Sequence, residues 1–325
     1  MVSKLKIALI LCAALFLLPG PAAGAAQHAP RIVAIATLMS HPALDQLIAS
    51  MKSRVSAQRS GGSPVRFVEW NANQQVNLLP TIVDQVISRK PDVIVAVTTP
   101  VAQAFRRKVD KPFVFAAVTD PVGAGVVTSL NKPGPWVSGT SDAWPYHAQL
   151  ALIREMMPRA VHLGVLYNPG EAASQYGIKQ IRRYAPEFGF RIVEGPVASV
   201  NEELPVAQSL VDRTDALFLS SDNTVIGGAA GAISVAISKK KPLFAGDSGT
   251  VQKGGLATVS VGYAKLGDAT GEIVNRFLAG DGNVPVIVGR DADIYINLAA
   301  AKAMGVSVSA RLRARAKQLY SQIAR

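Results

Sequence analysis

The sequence predicts an α/β protein built from two doubly wound lobes, each with a parallel sheet covered by helices. A repeat indicates the two lobes, because Arg66–Glu69 and the following Leu79-Pro80 recur 125 residues later as Arg191–Glu194 and Leu204-Pro205. Short apolar runs alternate with stretches of helical periodicity, which is the order of a parallel α/β sheet. The length of 325 residues suits two domains of about 150 residues each.

The strands are predicted at the apolar runs. Several of these runs, such as Val93–Val97, are continuous, which is typical of strands buried on both faces. Apolar residues at helical spacing fill most of the intervals, and Pro80 and Pro205 fall in first helical turns, where a missing N–H costs little. In chain order the predicted strands are Arg31–Thr37, Val65–Trp70, Asp92–Val97, Phe113–Val118, His162–Tyr167, Arg191–Glu194, Asp215–Leu219, Leu243–Ala245 and Leu256–Val261.

Two segments are predicted to cross from one lobe to the other. The first is Asn131–Tyr146, which is rich in Pro, Gly, Ser and aromatic residues. The second is Val261–Tyr263, after which a helix over residues 267–278 is expected to return to the first lobe. The last segment is predicted to be a helix packed on a lobe, with one apolar face formed by Leu312, Ala316, Leu319 and Ile323.

Residues 1–25 are predicted to be a secretory signal peptide, with an apolar stretch at Ile7–Leu18 and a small-residue cleavage site at Ala23-Gly24-Ala25. The only cysteine, Cys12, lies within it, so the mature chain has no thiol for a disulfide, a metal or a nucleophile. The mature protein is therefore expected in the periplasm. Its first lobe is predicted to be residues 30–140 plus 262–285, and its second lobe 141–261 plus 286–325.

The composition and motifs exclude several classes of function. The net charge is +12, but the basic residues are scattered along the chain, so no nucleic-acid partner is expected. Neither an H-E-x-x-H nor a G-K-[ST] motif occurs, so we expect no metal, no cofactor and no ATP hydrolysis by this chain. The segment Gly246–Thr250 lacks the closing glycine of a nucleophile elbow, so we expect no enzyme activity.

Polar residues gather where the predicted strands end, as in Thr98-Thr99 and Ser221–Asn223. Ligands of open parallel sheets lie beyond these strand ends, so the turns are predicted to line one cleft. The same residue types are preferred helix N-caps, and capping alone explains any single turn. Helix N-termini and hydroxyls in a cleft would bind a carboxylate, whereas acidic groups would pair with an ammonium. The sequence therefore favours a zwitterion such as an α-amino acid.

Six motifs at these turns, taken together and in order, resemble the ABC-transporter substrate-binding proteins of the tryptophan and aromatic amino-acid binding subfamily. They are Ser40–Asp45, Thr99–Gln103, Phe115–Gly125, Val165–Glu171, Asp222–Val225 and Ala245–Asp247. The resemblance implies a type I periplasmic binding protein, in which two lobes joined by three crossovers close on an amino acid and deliver it to a membrane permease. It carries over these ligand-binding candidates: His41, Thr98, Thr99, Thr119, Asp120, Ser141, Asp142, Asn168, Ser174, Asp222, Asn223 and Asp247.

Two alternatives stay open at this point. A sensor that presents a ligand to a membrane receptor would use the same fold and the same cleft. A secreted hydrolase would need a base, for which His41 and His147 are the candidates. A monomer is expected in either case, because closure of two lobes needs no second copy.

Overall fold

The structure is a computed structural model that describes residues 29–58, 63–110 and 112–324. The predicted signal peptide lies outside the described residues. Within these ranges, none of the helices combines the length and the apolar character needed to cross a membrane.

The helices and strands alternate through most of the chain. The strands are β1 (Arg31–Thr37), β2 (Val65–Asn71), β3 (Val93–Val97), β4 (Phe113–Ala116), β5 (Val137–Ser141), β6 (His162–Tyr167), β7 (Arg191–Pro196), β8 (Ala216–Leu219), β9 (Leu243–Phe244), β10 (Ala257–Val261), β11 (Ile287–Val288), β12 (Ala292–Asn297) and β13 (Ala316–Tyr320). The α-helices are α1 (Pro42–Ala57), α2 (Leu79–Ser88), α3 (Thr99–Arg106), α4 (Tyr146–Met156), α5 (Ala172–Tyr184), α6 (Glu203–Val211), α7 (Asn223–Ser238), α8 (Ser248–Gln252), α9 (Tyr263–Leu278), α10 (Leu298–Ala303) and α11 (Ala310–Arg315).

The first lobe is built on a six-stranded parallel sheet in the order β11-β5-β4-β3-β1-β2. Its central strand β3 is buried along its whole length, as a continuous apolar run predicts. Helix α9 returns to this lobe and packs along α1, which confirms the predicted return. The two helices can approach closely because Gly267 has no Cβ. A Cβ at this position would collide with the carbonyl oxygen of Leu47.

The second lobe repeats this plan with a parallel sheet in the order β7-β6-β8-β9. The order matches β2-β1-β3-β4 of the first sheet, so the repeat in the sequence is a repeat in the structure. In each sheet the strand order reverses at the first strand of the repeat, β1 or β6. Such a reversal opens a crevice at the carboxyl ends of the neighbouring strands, where ligands bind in open α/β sheets.

The C-terminal segment differs from the prediction. A helix with an apolar face from Leu312 to Ile323 was expected, but α11 ends at Arg315 and the chain continues as β13. Strand β13 pairs in parallel with β12, which in turn pairs antiparallel with β10. The apolar spacing of the segment fits a helix, but pairing Leu319 beside Ile296 satisfies backbone groups of β12 that an edge strand would leave open.

The chain passes between the lobes at three places, which we call the crossing segments: 142–145, residue 262 and 289–291. The last one departs from the predicted lobe bounds. Residues 287–288 form β11 and pair with Thr140 and Ser141 of β5, so they lie with the first sheet and not with the second. The other bounds of the two lobes stay a prediction.

Candidate functional site

A cavity lies between the lobes at the carboxyl ends of their central strands. The space free of protein atoms at this place, including the part that is open to solvent, is about 400 Å³. Both lobes, the first crossing segment and Tyr263, which directly follows the second, line it, so its shape depends on how the lobes meet. The lining residues are Met39, His41, Ala43, Leu44, Thr98, Thr99, Ala117 and Thr119 of the first lobe, Ala173, Ser221, Asp222, Asn223, Ile226 and Asp247 of the second, and Asp142, Trp144 and Tyr263 at the crossings.

Most of the residues predicted from the sequence as ligand contacts lie around this cavity: His41, Thr98, Thr99, Thr119, Asp142, Asp222, Asn223 and Asp247. The other four, Asp120, Ser141, Asn168 and Ser174, are not among its lining residues. Two of these complete local turns, because Asp120 accepts from the Gly123 N–H and Asn168 accepts from the Gly170 N–H. Ser141 donates to the carbonyl of Thr119, which follows the neighbouring strand β4. Ser174 is fully buried within α5.

Nine lining residues were not among the predicted ligand contacts, and the positions of three of them, Tyr263, Trp144 and Ser221, carry a signal in the sequence. Tyr263 and Trp144 lie in or next to the crossing segments, which the sequence does locate. Ser221 directly precedes the predicted Asp222. A residue at a crossing must lie near both lobes, so every polar or aromatic side chain there was a candidate.

Asp142 is a buried carboxylate at the first crossing. Its Oδ1 accepts from the Thr119 hydroxyl at 3.0 Å and its Oδ2 from the Tyr263 hydroxyl at 2.9 Å. Burial raises the pKa of Asp142, although these hydrogen bonds lower it. Each oxygen keeps further capacity to accept a hydrogen bond. Among the lining residues that the structure describes there is no Lys or Arg, so Asp142 has no basic partner in the cavity wall.

Asp222 and Asp247 are also buried, but each caps a helix. Asp222 Oδ1 accepts from the Val225 N–H of α7 at 2.9 Å, and Asp247 Oδ1 accepts from the Thr250 N–H of α8 at 2.9 Å. Asp222 also accepts from the Asn168 N–H. Burial and the nearby charge of Glu171 raise the pKa of Asp222 to about 7. Both residues therefore cap a helix, which the sequence allowed as the explanation of any single turn, and both also line the cavity.

Replacing Asp247 with alanine is expected to lower the free energy of unfolding by about 1–2 kcal/mol, because the cap of α8 is lost. Thr250 would lose two hydrogen bonds, the one from its N–H and the one from its hydroxyl, which donates to Asp247 Oδ2 at 2.6 Å. Urea unfolding of the ligand-free protein measures the change. Asp247→Asn, which keeps an oxygen for the Thr250 N–H, should lose less, and equal stability of the alanine variant and the unchanged protein would contradict the capping role.

The two lobes touch across the cavity through polar side chains. The hydroxyls of Thr119 and Ser221 are 3.0 Å apart, and Nε2 of His41 lies 3.6 Å from Asp247 Oδ1. Burial lowers the pKa of His41, and the charge of Asp247 only partly opposes this. The other histidine considered as a base, His147, is exposed on α4 and pairs with Glu187 at 3.2 Å. The two histidines therefore do not share a site.

Helix α3 presents its N-terminus to the cavity in an unusual conformation. Its cap residue Thr98 has φ 83° and ψ 156°, a region that is essentially restricted to glycine. Thr98 is buried, and its Oγ1 has no hydrogen-bond partner among the residues that the structure describes. Strain of this kind costs about 1–3 kcal/mol and clusters at functional sites.

No group of three or more His, Cys, Asp or Glu side chains in the described ranges is arranged to hold a metal ion. The side chains of the cavity wall are carboxylates, hydroxyls, the imidazole of His41, the carboxamide of Asn223, and apolar and aromatic groups.

Comparison with known proteins identifies the family. The model for ABC transporter substrate binding proteins matches residues 32–320. The chain belongs to this family. It is thus the substrate-binding component of an ABC transporter, and the resemblance found in the sequence is confirmed. Its fold is that of the type I periplasmic binding proteins, also as predicted.

Two individual relatives are known by the ligand that they bind. A protein of Clostridioides difficile (strain R20291), named tyrosine-binding protein, is 33% identical over 276 residues, covering 84% of this chain and 80% of the relative. The structure of the ABC domain in complex with L-Trp from Streptococcus pneumonia is 28% identical with a TM-score of 0.85, covering 89% of this chain and 99% of that chain.

A third relative shows which arrangement of lobes this substrate-binding protein adopts. The ligand-free, open structure of a substrate binding protein with adhesive properties from Clostridium difficile is 33% identical, yet its TM-score is only 0.68 over 90% of this chain and 100% of that chain. The L-Trp complex is less similar in sequence and more similar in shape. The greater similarity in shape to the L-Trp complex, together with the contacts across the cavity, indicates that the two lobes are closed on each other.

Proposed function

We propose that this substrate-binding protein binds an aromatic α-amino acid between its lobes and delivers it to an ABC permease. It would act as a monomer in the periplasm, without a catalytic step, after removal of residues 1–25. The observation that carries the proposal is the closed cavity, in which the buried carboxylate of Asp142 faces apolar groups and hydroxyls. The ligands of two relatives, L-Trp and tyrosine, support the same class of solute.

The apolar part of the lining suits a ring. Met39, Leu44, Ala117 and Ile226 contribute aliphatic surface, and Trp144 adds an aromatic face. An aromatic side chain buries about 150–250 Å². At about 25 cal/mol per Å² this burial contributes about 4–6 kcal/mol, before the costs of ordering the ligand and the lobes. A sugar would bring hydroxyls into contact with these aliphatic groups and leave them without partners.

Closure follows from contacts that the ligand can make only when the lobes approach. A ligand shifts the equilibrium between open and closed states by its difference in affinity for the two. Thr98 and Thr119 belong to the first lobe and Asp222 and Ser221 to the second, so a solute between them touches both walls only in the closed arrangement. The permease would then distinguish the ligand-bound protein from the ligand-free protein by its closed shape.

Isothermal titration calorimetry of protein stripped of bound solute tests the proposal. We expect micromolar or tighter binding of L-tyrosine or L-tryptophan, with a negative change in heat capacity because apolar surface is buried. Leucine should bind at least about 10-fold more weakly, since its side chain is smaller. Binding of ribose with no heat from any aromatic amino acid would overturn the proposal.

A further inference from the structure

We infer that Gly249 is a positioning residue for lobe closure. Because it has no side chain, it leaves a notch beside Asp247 and Thr250, and this notch receives the imidazole of His41 when the lobes come together. We call these three residues of the second lobe the α8 notch. The inference rests on the proposed function, in which the closed arrangement holds the amino acid. It adds a residue that contacts the opposite lobe without lining the cavity.

Gly249 lies in α8 of the second lobe, but its side-chain position faces the first lobe. A Cβ there would collide with Cε1 of His41 and would lie 3.0 Å from both Nδ1 of His41 and the backbone nitrogen of Ala43. Atoms in favourable contact are about 3.5–4.0 Å apart. Any residue other than glycine would therefore overlap the first lobe in the closed arrangement.

The imidazole of His41 has little freedom to move aside. His41 precedes Pro42, which restricts its backbone to the extended region, and it has φ −153° and ψ 140°. Its carbonyl accepts from the Asp45 N–H at 2.8 Å, which fixes it at the start of α1. Its side chain is only 4% exposed. A collision with this buried ring is therefore relieved by moving the lobes apart.

The other residues of the α8 notch contact the same ring. Nε2 of His41 lies 3.6 Å from Asp247 Oδ1 and 3.4 Å from Thr250 Oγ1. Asp247 and Thr250 are joined to each other, because both the N–H and the hydroxyl of Thr250 donate to the Asp247 carboxylate. The notch is thus braced within the second lobe, and the ring of the first lobe fits it in one relative placement of the two.

The contact between His41 and Gly249 also forms one side of the cavity wall. His41 and Asp247 line the cavity, whereas Gly249 lines an open groove together with Pro42 and Gln46 of α1. The seam between α1 and α8 therefore separates the cavity from this groove. A side chain at position 249 would hold the seam apart and admit water to the ligand.

Another glycine between the lobes provides a contrast. A Cβ at Gly227 of α7 would lie 2.9 Å from Cδ and Oε1 of Gln74, which belongs to the first lobe. Gln74 is exposed, and its amide is the end of a flexible side chain that can turn into solvent. Of the two glycines, Gly249 is therefore the one at which a methyl group should oppose closure.

The test is Gly249→Ala, titrated with L-tyrosine by calorimetry beside the unchanged protein. The overlap costs free energy only in the closed state, so we expect tyrosine to bind about 5- to 150-fold more weakly. The thermal midpoint of the ligand-free protein should stay unchanged or rise by about 1–4 °C, because alanine favours a helix more than glycine does. With saturating tyrosine, small-angle X-ray scattering should give the variant the larger radius of gyration.

Two comparisons identify the cause of the loss. Gly227→Ala should bind tyrosine within about 3-fold of the unchanged protein, because Gln74 gives way. In a His41→Ala background, whatever that change does alone, adding Gly249→Ala should cost no more than about 3-fold, because the ring that it would meet is gone.

Three results would overturn the inference. One is equal affinity of Gly249→Ala and the unchanged protein, and another is a loss that Gly227→Ala or the His41→Ala background reproduces in full. The third is a lower thermal midpoint of ligand-free Gly249→Ala, which would assign Gly249 to the fold of the second lobe. Failure of the proposed function looks different, because then the unchanged protein binds no aromatic amino acid.

Discussion

Replacing Asp142 with asparagine is expected to weaken the binding of an aromatic amino acid by about 30- to 5,000-fold. This corresponds to the 2–5 kcal/mol that truncating one partner of a buried charge pair costs. Asp142 can accept an ammonium because its present donors, the hydroxyls of Thr119 and Tyr263, leave acceptor capacity on both oxygens. Asparagine keeps the size and removes the charge.

Calorimetry with two ligands measures this effect. L-Tyrosine should lose the affinity stated above, whereas 3-(4-hydroxyphenyl)propionate, which lacks the amine, should bind Asp142→Asn no more weakly than it binds the unchanged protein. Asp120→Asn is the matched control, since Asp120 follows a neighbouring strand but does not line the cavity. A similar loss in both variants, or a loss below about 3-fold in Asp142→Asn, would show that the ammonium is bound by another group.

Replacing Glu203 with glutamine is expected to stabilise the protein by about 3 kcal/mol at pH 7, and by more at higher pH. Glu203 is fully buried between α6 and α7, and neither of its carboxyl oxygens has a hydrogen-bond partner among the described residues. Burial, with a smaller contribution from the charge of Asp222, raises the pKa of Glu203 from 4.5 to about 9. The native carboxyl therefore stays protonated at neutral pH.

The sign of the pH dependence follows from proton binding. Between pH 4.5 and about 9 the unfolded chain has released this proton and the folded chain has kept it. Unfolding then releases a proton, so stability falls as pH rises, by about 1.4 kcal/mol per pH unit from this residue. Below pH 4.5 the contribution is constant. Glutamine cannot ionise, so its advantage grows across this range of pH.

Urea unfolding at several pH values between 4 and 9 tests this prediction. The difference in unfolding free energy between Glu203→Gln and the unchanged protein should rise steadily with pH. Glu202→Gln is the control, because Glu202 is exposed and adjacent in sequence. A constant difference over this range would mean that Glu203 is ionised in the folded protein and that its pKa is close to the ordinary value.

The sequence predicts the framework of the two lobes because that framework depends on local patterns. Continuous apolar runs give the buried parallel strands, and the repeat gives two equivalent sheets. Strand β1 matches its predicted bounds, Arg31–Thr37. Strand β5, Val137–Ser141, was not predicted, since its sequence of Val, Ser, Gly and Thr has no apolar run, and only its pairing between β4 and β11 makes it a strand.

The chemistry of the cavity could be predicted only in part. Asp120 and Asp142 both follow strands of the first sheet, and the sequence gives no reason to separate them. In the structure Asp120 closes a turn with Gly123 and Asp142 lines the cavity. The conformation of Thr98 is equally hidden, because a positive φ at threonine runs against its local preference and must be imposed by the surrounding fold.

The packing of α9 on α1 also determines the order in which the protein can be completed. Residues 263–278 cover one face of a sheet whose first five strands are formed by residues 31–141. Those strands precede their covering helix by more than 100 residues in the chain, so the apolar face of the first sheet stays partly exposed until α9 has been added. The second sheet, β6 to β9, is contiguous in the chain and needs no such delay.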